Sequence, residues 1–400
     1  MTCRCHERHV KFCSVHYYRL RQSLRGFIAI TTNLPFGQVR RVVSAYLPGC
    51  GVLASDCTIA LLKLQRIIMQ HVKFSTIGGP EVLDLVSLEL SPVGPREVRL
   101  KIAAIGVNRF EALFRQDFYA LSPSLPSVMG VEGVGTIVEV GAEVDNYAIG
   151  DRVTVLPTQT PFVGSGTYAT HANIPASALV KSIHGTSDVE EAAVWMAGLQ
   201  AYNLLTKSPV KPGDAVLVTA ATSPVGAALV HFARDMGATV FATTRTMARK
   251  NQLLELGAHH AIATDDEVLS DVVKQATDGY GVRFALDTVG GPVLAQAVLS
   301  LAEGGSVFSY GAQTSPDIKA AQITVPLIAL DRRFISFVDL FELIEVPERF
   351  AAAKEYIRSA VSRGVFKPRI DSTYTLENVR DAHRRMDVGQ LSGKVVVTAA

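Results

Sequence analysis

Five short apolar runs between residues 215 and 311, AVLVTA, TVFATT, HAIAT, RFALDTV and SVFSYG, recur with helix-compatible stretches between them. None alternates apolar with polar, so each reads as a strand buried on both faces. Buried strands separated by helices predict an α/β domain with a doubly wound parallel sheet. Upstream the texture differs. VRLKIAAIGV (98–107) alternates as a half-buried strand does, and TIVEVG and GDRVTVLP follow with Gly141 and Gly150 as punctuation, so a β-rich domain precedes the parallel one. At about Ser187 the sequence turns helical with VEEAAVWMAGLQAYNLLTKS, and the tail ends in KVVVT. The expected division is residues 69–190 with 331–400 in one domain, and 191–330 in the other.

Residues 1–68 do not share this order. They hold ten Lys or Arg against Glu7 and Asp56, which leaves 29 of the chain's 39 basic and 35 of its 37 acidic residues on the rest. A body of net charge −6 is no basic nucleic-acid binder. The first segment reads as a mitochondrial-type presequence, as a basic tail, or, the reading preferred, as upstream sequence joined to a protein that properly begins at Met69. The cytoplasm is the expected compartment, or the mitochondrion if the presequence is genuine. All five cysteines (3, 5, 13, 50 and 57) fall there, and the spacing of Cys3, Cys5, His9 and Cys13 matches no zinc pattern. No apolar run is long enough to span a bilayer.

Residues 218–246, VTAATSPVGAALVHFARDMGATVFATTRT, read as strand, turn, helix and strand. Of a G-x-G-x-x-G fingerprint only Gly226 is present, with Ala221 and Ser223 in the first two glycine places. Val225, Leu229, Phe232 and Met236 form one helical stripe, expected to face the sheet. The helix then emerges from Thr222-Ser223-Pro224, and free amides with the helix dipole favour an anion such as a pyrophosphate. Pro224 suits a first helical turn. Small Ala221 and Ser223 are expected to let a phosphate approach, and Gly226 to let helix and strand touch. An NAD site places an acid at the end of the second strand. Here that end is ATTRT: Thr243 and Thr244 offer hydroxyls, Arg245 can pair with a 2′-phosphate, and Arg249 lies one helical turn on. NADPH is the implied cofactor.

Several stretches together resemble the medium-chain dehydrogenase/reductase superfamily, in its zinc-free quinone reductase branch related to zeta-crystallin. They are GVNRFEALFRQDFY (106–119), SLPSVMGVEGVGTIVEVGAEVDNYAIGDRV (124–153), AATSPVG (220–226) and GKVVV (393–397). The resemblance implies a GroES-like first domain, a Rossmann second domain and an active site between them. Zinc-dependent relatives carry a Cys in the segment matching 106–108 and a His just before the residue matching Glu132; this chain has neither, so no metal is expected.

The resemblance also implies roles. Asn108 would contact the nicotinamide ribose or the substrate carbonyl, and Tyr119 would donate a hydrogen bond or proton. Gln200 stands where many relatives have a Thr facing the nicotinamide. The backbone of Ser309-Tyr310-Gly311 would lie near the nicotinamide, the turn at Asp287–Gly291 under the cofactor, and Lys394 within reach of a phosphate. Glu132 reads as structural and Trp195 as core. The reaction expected is hydride transfer from NADPH to a quinone or α,β-unsaturated carbonyl, by a homodimer without a nucleic-acid or membrane partner. The alternatives are an enoyl-thioester reductase of lipid or polyketide metabolism, or a non-catalytic NADPH-binding sensor.

Overall fold

The computed structural model describes residues 69–89, 91–157, 166–325 and 332–399; the expectations for residues 1–68 lie outside them. A three-stranded antiparallel sheet is made by β1 (Met69–Phe74), β2 (Asp84–Leu88) and, beyond the long β3 (Glu97–Val107), the short β4 (Ser127–Val128). β3 is followed by helix α1 (Arg109–Arg115) and forms the spine of a seven-stranded sheet. The other strands of that sheet are β5 (Gly133–Val140), β6 (Arg152–Val155), β7 (His171–Pro175), β8 (Leu179–Lys181) and two strands from the far end of the chain. The first half of β3 alternates as its sequence predicts, with Val98, Leu100 and Ile102 inward. From Ala104 onward both faces are buried, because Ala192 packs onto the second face, where Ala104, Val134 and Val396 of adjacent strands lie together.

After helix α2 (Trp195–Lys207) comes the parallel sheet. Its strands are β9 (Ala215–Val218), β10 (Thr239–Thr244), β11 (His260–Ala263), β12 (Val282–Asp287), β13 (Leu301–Ser309) and β14 (Phe334–Phe337), in the order β11-β10-β9-β12-β13-β14. Helices α3 (Pro224–Asp235), α4 (Lys250–Leu256), α5 (Leu269–Ala276) and α6 (Gly291–Leu299) alternate with them. From β9 the chain goes first to β10 on one side and later to β12 on the other. That reversal opens a crevice beyond the strands' carboxyl ends, where an open α/β sheet binds its ligand.

Two expectations are corrected here. The chain does not return to the first domain at residue 331, since β14 pairs in parallel with β13 and α7 (Pro347–Ser362) packs on α2. It re-enters the first sheet at β15 (Ile370–Thr375) and, after α8 (Val379–Val388), ends in β16 (Lys394–Thr398), which lies between β15 and β3. The stripe on α3 is not given to the sheet alone. Phe232 makes edge contacts with Tyr356 of α7 at 5.0 Å and with Phe366 at 5.2 Å, each worth about 0.5–1.5 kcal/mol beyond area burial. Trp195 is wholly buried, as read. Among the described residues no helix is long and apolar enough to cross a membrane.

Candidate active site

The turn after β9 is drawn tight by bonds to β10. Ala220 N–H donates to Thr243 Oγ1 at 3.1 Å, Ala221 N–H donates to Thr243 O at 2.9 Å, and Ala220 takes a left-handed φ of 47°. Ser223 caps α3, its Oγ accepting from Gly226 N–H at 3.1 Å, with Pro224 in the first turn. A Cβ on Gly226 would stand 2.6 Å from Ala220 O and 2.7 Å from Ala221 Cα, so close helix–turn contact requires glycine there. Thr222 and Val225 keep N–H groups that bond to no described residue, at the helix's positive end. Ala221 departs from expectation. It is fully buried, with no surface for a phosphate, because its small side chain belongs to the core.

At the end of β10, Thr243 and Thr244 are buried, while Arg245 is exposed and its side chain bonds to no described residue. Arg249 is a correction: its guanidinium donates to Gln390 O at 2.6 Å and Leu391 O at 3.3 Å, tying the two domains together instead of waiting for a phosphate. At the end of β12, Asp287 is buried and accepts from Thr219 Oγ1 at 2.8 Å and Gly290 N–H at 2.9 Å. Burial pushes its carboxyl up, and those donors oppose the shift. Tyr310 N–H donates to Asp287 O at 2.8 Å, and a Cβ on Gly311 would fall 2.5 Å from Thr288 Oγ1. The 288–291 and 309–311 turns are thus locked side by side. Ser309 is buried with its Oγ donating to Gly311 O, and burial of the Tyr310 hydroxyl raises its pKa.

Across the crevice stands a polar corner of the first domain. Asn108, nearly buried between β3 and α1, receives Lys394 Nζ on its Oδ1 at 2.7 Å and donates from Nδ2 to Gly106 O at 3.1 Å. Lys394 Nζ also contacts Glu132 Oε2 at 2.6 Å, and Glu132 Oε1 accepts Met196 N–H of α2 at 2.8 Å. Both charges are buried, 2% and 0% exposed. Lys394 is therefore not free for a phosphate, a correction that follows those at Ala221 and Arg249. Glu132 does hold structure beside the crevice, through a lysine that the sequence reading sent elsewhere. Gly106 makes the corner possible: a Cβ there would lie 2.2 Å from Ala192 O, 2.6 Å from Glu132 Oε2 and 2.7 Å from Lys394 Cε.

Behind Asn108 lies a second network. Glu111 Oε2 accepts Asn108 N–H at 2.8 Å and Tyr168 OH at 3.0 Å, and that hydroxyl stands 3.3 Å from His383 Nε2. Burial drives the Glu111 carboxyl up to about 7 and the His383 imidazole down to about 3. Tyr119, half-buried against Phe110 at 5.3 Å, has its pKa raised by burial and then by the charge of Asp339 in the second domain. It therefore keeps its proton at neutral pH and suits hydrogen-bond donation. Gln200 is nearly buried on α2. The sequence reading missed a clasp over the crevice's outer lips: Lys319 Nζ meets Asp117 at 2.6 Å and Ser122 Oγ at 3.1 Å, and Ile318 N–H donates to Phe118 O.

Residues 94–184 match the family model of the alcohol dehydrogenase GroES-like domain, and residues 224–345 that of the zinc-binding dehydrogenase. Zinc does not fit the residues here. Among the described residues no three His, Cys, Asp or Glu side chains converge, and the one carboxylate of the corner, Glu132, is already held by an ammonium. A quinone oxidoreductase of Lama guanicoe is 30% identical over 336 residues, 82% of this chain and 97% of its own length. A 2-haloacrylate reductase of a Burkholderia species is 29% identical over 326 residues, 80% of this chain and 96% of its own. The solved Escherichia coli quinone oxidoreductase complexed with NADPH superposes with a TM-score of 0.74 at 26% identity, covering 82% of this chain and all of that one. The chain belongs to the medium-chain dehydrogenase/reductase superfamily, in the branch of the quinone oxidoreductases.

Proposed function

We propose that this protein is an NADPH-dependent reductase that delivers hydride, without a metal, to a quinone or α,β-unsaturated carbonyl. The observation that carries the cofactor choice is Arg245, exposed and unpaired by any described residue where an NAD site would place an acid. Bound NADPH supplies the hydride. Arg245 neutralises the 2′-phosphate, and the free N–H groups of Thr222 and Val225 take the pyrophosphate. The 309–311 turn and Gln200 border the nicotinamide. Asn108 and Tyr119 face the acceptor, Tyr119 donating a hydrogen bond to its oxygen while the proton that completes reduction comes from water. The relatives named for quinone and for 2-haloacrylate support the acceptor class, since each compound is an electrophilic, conjugated carbonyl.

The test is NADPH oxidation by the full chain against an ortho-quinone, a simple enone and a crotonyl thioester, with and without EDTA. Turnover on the quinone or enone, unchanged by EDTA, is the expected result. Turnover on the thioester alone would move the protein to acyl-chain reduction, and activity lost to EDTA and restored by zinc would overturn the metal-free reading. A homodimer belongs to the same proposal. It is supported by β14, the outer strand of the parallel sheet, whose Phe334 and Phe337 are 64% and 56% exposed. Sedimentation at the monomer mass would rule it out. The cytoplasm is the compartment inferred, and cell fractionation checks it.

A further inference from the structure

We propose that Lys394, anchored by Glu132, is a positioning residue that makes Asn108 a pure hydrogen-bond donor toward the acceptor oxygen; this rests on the reading above.

The two neighbours of the Asn108 amide fix its orientation without ambiguity. An ammonium can only donate, so the atom 2.7 Å from Lys394 Nζ is the amide oxygen. A backbone carbonyl can only accept, so the atom 3.1 Å from Gly106 O is the amide nitrogen. Turning the amide over would set NH₂ against NH₃⁺ and oxygen against oxygen. One N–H of Asn108 is spent on Gly106, and the other remains. The lysine also polarises the amide, because a buried positive charge on the oxygen strengthens donation from the nitrogen. Glu132 keeps that charge in place: it faces Lys394 at 2.6 Å, and its other oxygen is held by Met196 N–H of α2, the helix that carries Gln200. Hydride arriving at a conjugated carbonyl leaves negative charge on its oxygen, and a preorganised N–H there stabilises the transition state more than the ground state.

Two variants separate this role from simple structural support. Asn108→Asp keeps a partner for Lys394 but has no N–H to give. Lys394→Met with Glu132→Gln removes both buried charges together and leaves neither unpaired, but frees the amide to turn. Both should fold with cooperative unfolding and bind NADPH within about threefold of the unaltered protein. Both should lose kcat by about 10²-fold, the usual cost of one oxyanion donor, and show an increased primary isotope effect with deuterated NADPH as hydride transfer becomes limiting. Independently of turnover, the Asn108 side-chain amide protons, followed by NMR, should exchange slowly with solvent in the unaltered protein and at least about tenfold faster in the double variant, where the amide is no longer held by Lys394. Retention of kcat within threefold by Asn108→Asp, or amide signals unchanged in the double variant, would overturn the proposal. Absence of turnover in the unaltered protein would instead defeat the reductase reading, and the amide signals distinguish the two failures.

Discussion

The two walls of the crevice are built in opposite ways. On the parallel-sheet side, the turn after β9, the cap of α3 and the end of β10 fall within residues 218–246, and Ala220 reaches Thr243 across 23 positions. On the mixed-sheet side, Lys394 meets Asn108 from 286 positions away and Glu132 from 262. A site made by one strand-turn-helix unit is written in consecutive residues. A site made by strand pairing is written only in the sheet order.

The same substitution in each wall sharpens that contrast most. Gly106→Ala drives a Cβ into a fixed backbone carbonyl and between the buried ion pair, so we expect a loss of about 3–5 kcal/mol in urea unfolding. Gly226→Ala meets only its own turn, and about 1–3 kcal/mol is expected, with weaker NADPH binding. Equal losses would mean that the two walls are equally rigid.

Next in size is a pH effect confined to the mixed-sheet wall. Glu111 titrates near 7 when folded and near 4.5 when unfolded, so the native state binds more protons between those values. Its contribution is complete below pH 4.5 and is lost as pH rises through 7, a fall of about 3 kcal/mol at most. His383 acts in the opposite sense, because its depressed pKa costs stability as pH falls from about 6.5 toward 3. Glu111→Gln, followed by unfolding midpoints from pH 4.5 to 8, should therefore lose the alkaline-side decline and keep the acid-side one. An unchanged profile would remove Glu111 from the account.

The smallest effect tests the local wall. Arg245→Ala should weaken NADPH by about 1.5–3 kcal/mol and leave NADH nearly untouched, by calorimetric titration. Equal weakening of both would show that the exposed arginine does not read the 2′-phosphate.

These differences explain what the sequence disclosed. The parallel strands, the close approach at Gly226 and an arginine in place of an acid after β10 follow from local spacing and residue type, and the superfamily follows from several ordered blocks. The cap that Ser223 gives α3 escapes that reading, because its small side chain is assigned there to phosphate approach. Arg249 and Lys394 misled because a basic side chain near a phosphate site looks available until its partners are known. Those partners are carbonyls at 390–391 and a carboxylate just ahead of β5, with β3 lying between that strand and β16. The boundary at residue 331 misled for a related reason. Phe334–Phe337 is a short apolar run that either sheet could have accepted, and only pairing with β13 decides.

The position of β16 bears on the order in which the molecule can be made. The six parallel strands end at residue 337, whereas β3 waits for a neighbour that begins at residue 394. During synthesis the nucleotide-binding half can close while the other sheet still shows an open edge along residues 104–107 of β3, the part that β7 does not pair. The strand that seals this edge also carries Lys394 to Asn108. On the reading proposed above, the corner that would meet the acceptor is thus the last part of the crevice to form, so a nascent chain would hold cofactor before it could use it.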